Sequence, residues 1–186
     1  LIHGMVDNGV KVLVITTELT TRGWIEQMES IGYGMTNAIS EGRVMVLSRY
    51  GTVADARQDV TLQEVLSSPA IPAADVIVLD SASSLMPEGG TKADHHTLIQ
   101  QLRKIASDGR SFMLCADPEE MDHTLLHTLR ASAEVVLDLD NAMIGGEIKR
   151  NIIITRFLRA AGPIQTSIGW RVEPGMGFIV DITAVS

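Results

Sequence analysis

Two carboxylates and an arginine are the side chains best placed by sequence to do chemistry. The apolar run Ala74-Asp75-Val76-Ile77-Val78-Leu79 ends in Asp80-Ser81. An acid at the C-terminal tip of a buried parallel strand carries its charge into the crevice where α/β sheets take ligands. There it can hold a water of a Mg²⁺ ion that bridges two phosphates, the Walker B arrangement. Glu18 closes a second apolar run, Lys11-Val-Leu-Val-Ile-Thr-Thr17, where a carboxylate can orient a water for attack on a terminal phosphate. Arg159 follows a β-type segment in Thr155-Arg156-Phe157-Leu158-Arg159-Ala160-Ala161-Gly162, and from there can reach across a subunit boundary to phosphoryl charge. Each also has an ordinary reading. Asp80 can be an acid at a strand-to-loop turn, Glu18 an exposed acid or cap of the next helix, and Arg159 a solvated arginine on an edge.

The phosphate loop that should accompany such a strand, G-x-x-x-x-G-K-[ST], occurs nowhere in the 186 residues. Its nearest spelling, Gly4-Met5-Val6-Asp7-Asn8-Gly9-Val10-Lys11, brings lysine one residue late, with no hydroxyl after it and no strand before it. The opening Leu1-Ile2-His3-Gly4-Met5 reads as the last turns of a helix ending at Gly9. The expectation is a nucleotide-binding domain over residues 1–186, truncated before its phosphate-loop segment. Other chemistries are weaker. His123 and His127 share a helix face at i and i+4, but no third ligand and no H-E-x-x-H pattern accompanies them. The dinucleotide fingerprint G-x-G-x-x-G is also absent.

Composition narrows the class. Hydrophobic residues make up 45% of the chain, enough for a globular core. Fifteen basic against twenty-three acidic residues give a net charge of −8. Only four of the basic residues are lysines, and none stand in runs longer than two. Nucleic-acid surfaces need clustered cations, so a DNA- or RNA-binding role is disfavoured and a protein-binding adapter fits better. One cysteine, Cys115, cannot form an internal disulfide, which points to a reducing, cytoplasmic setting; within Ser111-Phe-Met-Leu-Cys115 it reads as a small buried hydrophobe. No apolar run is long enough to cross a membrane.

The elements that must position these residues alternate between β-type and helical patterns, the sign of a parallel sheet with crossover helices. After the Lys11–Thr17 strand, Trp24, Ile25, Met28 and Ile31 recur at helical spacing before Gly32, where a C-cap is expected. Arg43–Ser48 is a strand, and Thr61-Leu-Gln-Glu64 spells a capping box for a short helix stopped by Pro69. Leu98, Ile99, Leu102 and Ile105 mark a longer helix closed by Asp108-Gly109, preceded by His95-His96 near Gly89-Gly90. Asp117-Pro118-Glu119-Glu120 predicts a helix start, with an acid at the cap and proline at the first position. Beyond residue 134 the pattern becomes antiparallel. One hairpin turns at Gly145-Gly146, and another joins Ser167–Val172 to Phe178–Ile182 through Glu173-Pro-Gly-Met-Gly177.

Taken in order, these segments resemble a known family. Val12 to Thr21, then Trp24 to Gly32, Val76 to Ser81, the strand before Asp117-Pro118 and the closing Val172 to Phe178 are similar to the archaellum accessory ATPase, protein H of the archaeal motility motor. That family belongs to the RecA superfamily and stands nearest the circadian-clock KaiC ATPases. The resemblance implies an α/β, RecA/KaiC-like, mostly parallel sheet with C-terminal antiparallel hairpins and the first, phosphate-loop strand absent. Loss of that central strand predicts unpaired strand edges. It also implies ATP and Mg²⁺ as ligands, with Asp80, Ser81 and Thr17 at the nucleotide and Asp80 reaching the metal through water. Glu18 matches the first of two adjacent glutamates in the clock proteins, where it serves as catalytic base; the second is Leu19 here, which predicts slow or no hydrolysis. Arg159 matches the arginine of a Lys-x-Arg-Gly element that senses the neighbouring subunit's nucleotide, with Phe157 and Ala160 replacing its lysine and glycine. Asp117 stands where the family has the histidine of a His-Pro pair. The implied setting is a homo-oligomeric ring on the motor ATPase beneath the membrane platform protein, cytoplasmic, with no nucleic acid bound. A KaiC-like autokinase and a nucleotide-independent scaffold are the alternatives.

Overall fold

A computed structural model describes residues 1–50, 61–86 and 91–181. The Gly89-Gly90 segment and Ile182 of the expected last strand lie outside the described residues. The chain divides into two compact units, Leu1–Glu29 with Gly34–Leu129, and Ser30–Tyr33 with Arg130–Ser186.

The first unit is built on a parallel sheet in the order β2-β1-β3-β4. These strands are β1 (Val12–Thr16), β2 (Val44–Ser48), β3 (Val76–Asp80) and β4 (Ser111–Leu114). β1 and β3 lie inside the sheet, and their unbroken aliphatic runs reflect burial on both faces. Register sets Leu13 beside Ile77 and Ile15 beside Leu79. Those four side chains share one core with Leu62, Val65, Leu85, Leu98, Met121 and Leu125. Val12, Val14 and Val78 point to the other face and are as deeply buried. Each such aliphatic side chain contributes about 1.5–3 kcal/mol through its removal from water.

The α-helices are α1 (Ile2–Asp7) before β1, the crossover helices α2 (Thr21–Ser30), α3 (Thr36–Ser40), α4 (Leu62–Leu66) and α5 (Lys92–Ser107), and α6 (His123–Ser132) after β4. Local chemistry explains several boundaries. Thr61 and Glu64 form the expected capping box of α4, and Thr91 with Asp94 forms another at α5. On α5, His95, Leu98 and Ile99 are buried and Leu102 and Ile105 partly so, a stripe at helical spacing that faces the core. The start expected at Asp117 is displaced. Asp117 Oδ1 accepts Glu119 N at 2.8 Å and closes one turn only, and α6 begins at His123 with Asp122 Oδ1 accepting Leu125 N at 2.9 Å. Acid, proline and acids start a single turn as readily as a helix. Burial of Met121 and Leu125 decides where the helix itself can run.

The second unit holds an antiparallel sheet in the order β5-β6-β7-β8. Its strands are β5 (Val135–Ile144), β6 (Glu147–Phe157), β7 (Ser167–Glu173) and β8 (Gly177–Asp181). Gly145 and Gly146, both at positive φ, form the two-residue β5–β6 turn. At the other hairpin the Phe178 amide donates to the Tyr33 hydroxyl at 2.7 Å, and Trp170 stacks on Phe178 with centroids 5.5 Å apart. Arg130 grips Asp138 with both guanidinium ends, at 2.5 and 2.8 Å, while the Thr155 hydroxyl donates to the same carboxylate. The pairing register gathers Leu137, Leu139, Met143, Ile148, Val172, Phe178 and Val180 on one face, where all are exposed.

Candidate functional site at the strand tips

The C-terminal ends of β1, β3 and β4 meet at one edge of the parallel sheet. Register pairs Thr16 with Asp80 and Leu79 with Leu114. Asp80 therefore sits at the tip of β3 with the β1 exit on one side and Cys115 on the other. The Thr17 amide donates to Asp80 O at 2.8 Å, the Cys115 amide to Leu79 O at 2.9 Å, and the Ala82 amide to Cys115 O at 2.7 Å. Inter-strand pairing thus continues one residue past each strand.

Glu18 is exposed because the chain turns out of the sheet directly before it. The Thr16 hydroxyl accepts the amides of Glu18 at 3.4 Å and Leu19 at 3.2 Å, a side-chain turn that caps the exit and leads into α2. From the far side, the Ser48 hydroxyl donates to Leu19 O at 2.6 Å. Asp80 is half-buried, while Thr17 and Ser81 are buried. The Thr17 hydroxyl both donates to Ser81 O at 3.1 Å and accepts from Ser81 N at 3.0 Å. The peptide between Asp80 and Ser81 is cis.

The structure places Cys115 differently from its sequence reading as a buried hydrophobe. β4 ends at Leu114, so Cys115 is the first residue past the strand and is exposed. Its thiol is pushed up to about 11, first by desolvation, then by the charge of Asp80, a hydrogen bond with the Asp80 carboxylate, and the charge of Glu18. The charges of Asp80 and, more weakly, Glu18 therefore act on one thiol. The tip-of-strand rule that nominated Asp80 and Glu18 would have nominated it too, had it been applied to the third strand.

Neither Asp80 nor Glu18 is ion-paired with any cation among the described residues. Two unneutralised carboxylates at one sheet edge suit a hydrated Mg²⁺, which keeps several waters and takes few protein ligands. Among the described residues no cluster of three or more ligating side chains could hold a bare metal ion. A glycine-rich phosphate cradle is not in the sequence, so these residues fit the cation side of a nucleotide and not its phosphates. Arg159 belongs to the other unit. It follows β6 at φ 59, and its exposed side chain pairs with Glu134. His123 and His127 are exposed on α6. A shallow depression of about 610 Å³ lies along α5, lined by Thr97, Gln100, Gln101, Arg103, Lys104 and Ser107, and no strand-tip residue takes part in it.

This arrangement of strands has known counterparts. Two curated relatives share the chain's length almost end to end, each described as archaeal flagellar ATP-binding protein FlaH. The one from Methanocaldococcus jannaschii is 28% identical over 187 residues, covering 100% of this chain and 80% of the relative. The one from Methanococcus voltae is 27% identical over 180 residues, covering 96% and 78%. The crystal structure of the flagellar accessory protein FlaH from M. jannaschii superposes with a TM-score of 0.86, covering 97% of this chain and 80% of that one. Over its whole length the chain is similar to these FlaH proteins. A KaiC-like protein from Pyrococcus horikoshii shares the fold at a TM-score of 0.71 and 19% identity. The RecA/KaiC-like α/β fold expected from sequence is thus the observed one. No protein-family model matches the chain. Among the described residues no helix is long and apolar enough to cross a membrane.

Proposed function

We propose that this chain is an ATP-binding regulatory component of an archaeal motility motor, with slow or no hydrolysis. The observation that carries the reading is the pair of carboxylates, Asp80 and Glu18, that no cation among the described residues pairs with, at neighbouring strand tips, in a chain matched end to end by relatives described as ATP-binding. When bound, Mg-ATP supplies a phosphoanhydride whose charge the cation offsets. Asp80 would hold that cation through a water, with Ser81 and Thr17 shaping the loop beside it. Glu18, exposed at the β1 tip, would orient a water and take its proton as the water's oxygen bonds to the terminal phosphorus and the phosphoanhydride bond breaks, with ADP leaving. Leu19 offers no second carboxylate beside it, which supports slow turnover. Arg159, exposed past β6, would exchange its Glu134 partner for a neighbouring copy in a homo-oligomeric ring. The proposed partners are the motor ATPase and the membrane platform protein, at the cytoplasmic face of the membrane.

Calorimetric titration of Mg-ATP into the full chain tests this. Binding that needs Mg²⁺ and weakens at least about tenfold in Asp80→Ala is the expected result. Glu18→Gln should bind normally and abolish any residual phosphate release. Failure to bind nucleotide by both this chain and the same chain with its upstream coding residues, while both stay folded, overturns the reading.

A further inference from the structure

The three strand tips are held together by buried hydroxyls. Thr17, at the β1 exit, is 4% exposed and spends its hydroxyl on both backbone groups of Ser81. The Ser81 hydroxyl accepts Ser83 N at 3.2 Å. Ser83, 6% exposed, accepts Asp117 N at 2.7 Å and donates to Asp117 O at 3.4 Å. The chain of contacts runs from β1, across the β3 exit, to the loop after β4. It links positions 64 and 34 residues apart in sequence. A backbone amide and carbonyl bonded by one hydroxyl have both direction and distance fixed, because the hydroxyl must donate one way and accept the other.

We propose that Thr17 and Ser83 are positioning residues whose hydroxyls set the separation of Glu18, Asp80 and Cys115 at the strand tips. The proposal rests on the nucleotide reading only for its functional consequence; the staple itself is a property of the protein without ligand. A hydroxyl is needed at 17 and 83 because each bonds both a main-chain amide and a main-chain carbonyl, and an aliphatic side chain of the same size would give neither a partner. Thr17→Val keeps the shape and removes the bonds, whereas Thr17→Ser keeps the bonds and removes a methyl group. Asp117 enters through its main chain, so its carboxylate is free to serve the adjacent turn, as its bond to Glu119 N shows.

The test compares Thr17→Val, Thr17→Ser, Ser83→Ala and Ile77→Val with the wild type. Ile77 lies in the core of β3, away from the tips, so its variant controls for general loss of stability. Two readouts are taken on folded protein. The first is the rate of Cys115 alkylation at fixed pH without nucleotide. The second is the Mg²⁺ concentration that half-supports ATP binding. Thr17→Val and Ser83→Ala should change the alkylation rate by roughly three- to tenfold and raise the half-supporting Mg²⁺ several-fold. Thr17→Ser should restore both, and Ile77→Val should move neither. Equal changes in Thr17→Val and Ile77→Val, or wild-type values in Thr17→Val, overturn the proposal while leaving nucleotide binding intact. If neither this chain nor the chain with its upstream coding residues binds ATP, the nucleotide reading fails, and the alkylation series alone still decides whether the staple holds the tips.

Discussion

Removing the charge of Asp80 gives a direct measure of how closely the strand tips converge. Cys115 is the one cysteine of the chain, so a thiol reagent reads a single site. The thiol rises from 9.0 to about 11 on folding. At pH 8 the reactive thiolate is then about one part in a thousand, against about one in ten for the unfolded chain. Native protein should therefore react with iodoacetamide up to about 100-fold more slowly than protein in denaturant, and solvent screening at this exposed residue brings the ratio below that bound. Asp80→Asn removes the second and third causes and leaves desolvation, the first. Its alkylation should speed up by roughly three- to tenfold and remain slower than in the unfolded chain. Glu18→Gln, the smallest cause, should have a weaker effect in the same direction. The sign for stability follows. A neutral thiol is favoured by the fold, so the contribution is complete below about pH 9 and disappears as pH rises toward 11. Native protein alkylated as fast as the unfolded chain would refute the geometry, since the thiol could then be close to neither carboxylate.

Three other predictions concern stability. The Asp138 carboxylate is held below its usual range, first by the Arg130 hydrogen bond and then, against desolvation, by Thr155. Its stabilisation is present above the ordinary carboxylate range and lost as pH falls through it. Asp138→Asn should lower stability at neutral pH by about 0.5–1 kcal/mol, given partial exposure, and flatten the acid limb of denaturation. Gly177→Ala should cost about 3 kcal/mol or more in a denaturant titration. The new Cβ would lie 2.3 Å from the Tyr33 ring at φ +79, forcing Tyr33 off the Phe178 amide. Tyr33→Phe alone should cost about 1 kcal/mol, and a cost below that for Gly177→Ala would contradict the packing. His95 is buried with no partner for either ring nitrogen among the described residues. His95→Leu should be neutral or stabilise by about 1 kcal/mol in thermal melts, because it removes unpaired polar atoms from the core.

The sequence by itself determined every feature whose cause lies within a few residues. The aliphatic runs of β1 and β3 declare burial on both faces, the Thr61–Glu64 capping box fixes the start of α4, and Gly145-Gly146 fixes a hairpin turn. Glu18 and Asp80 were legible for the same reason, since an acid directly after a buried strand must emerge at the sheet edge. Tertiary structure decided the rest. Asp117 starts one turn rather than α6 because the core burial of Met121 and Leu125, not the local signal, places the helix. Cys115 joins the carboxylates because β4 stops one residue short of it and pairs beside β3. Thr17 meets Ser81, and Ser83 meets Asp117, only through strand order and register. Those contacts join residues far apart in the chain, and no local pattern of residue types encodes which hydroxyl will face which main-chain group.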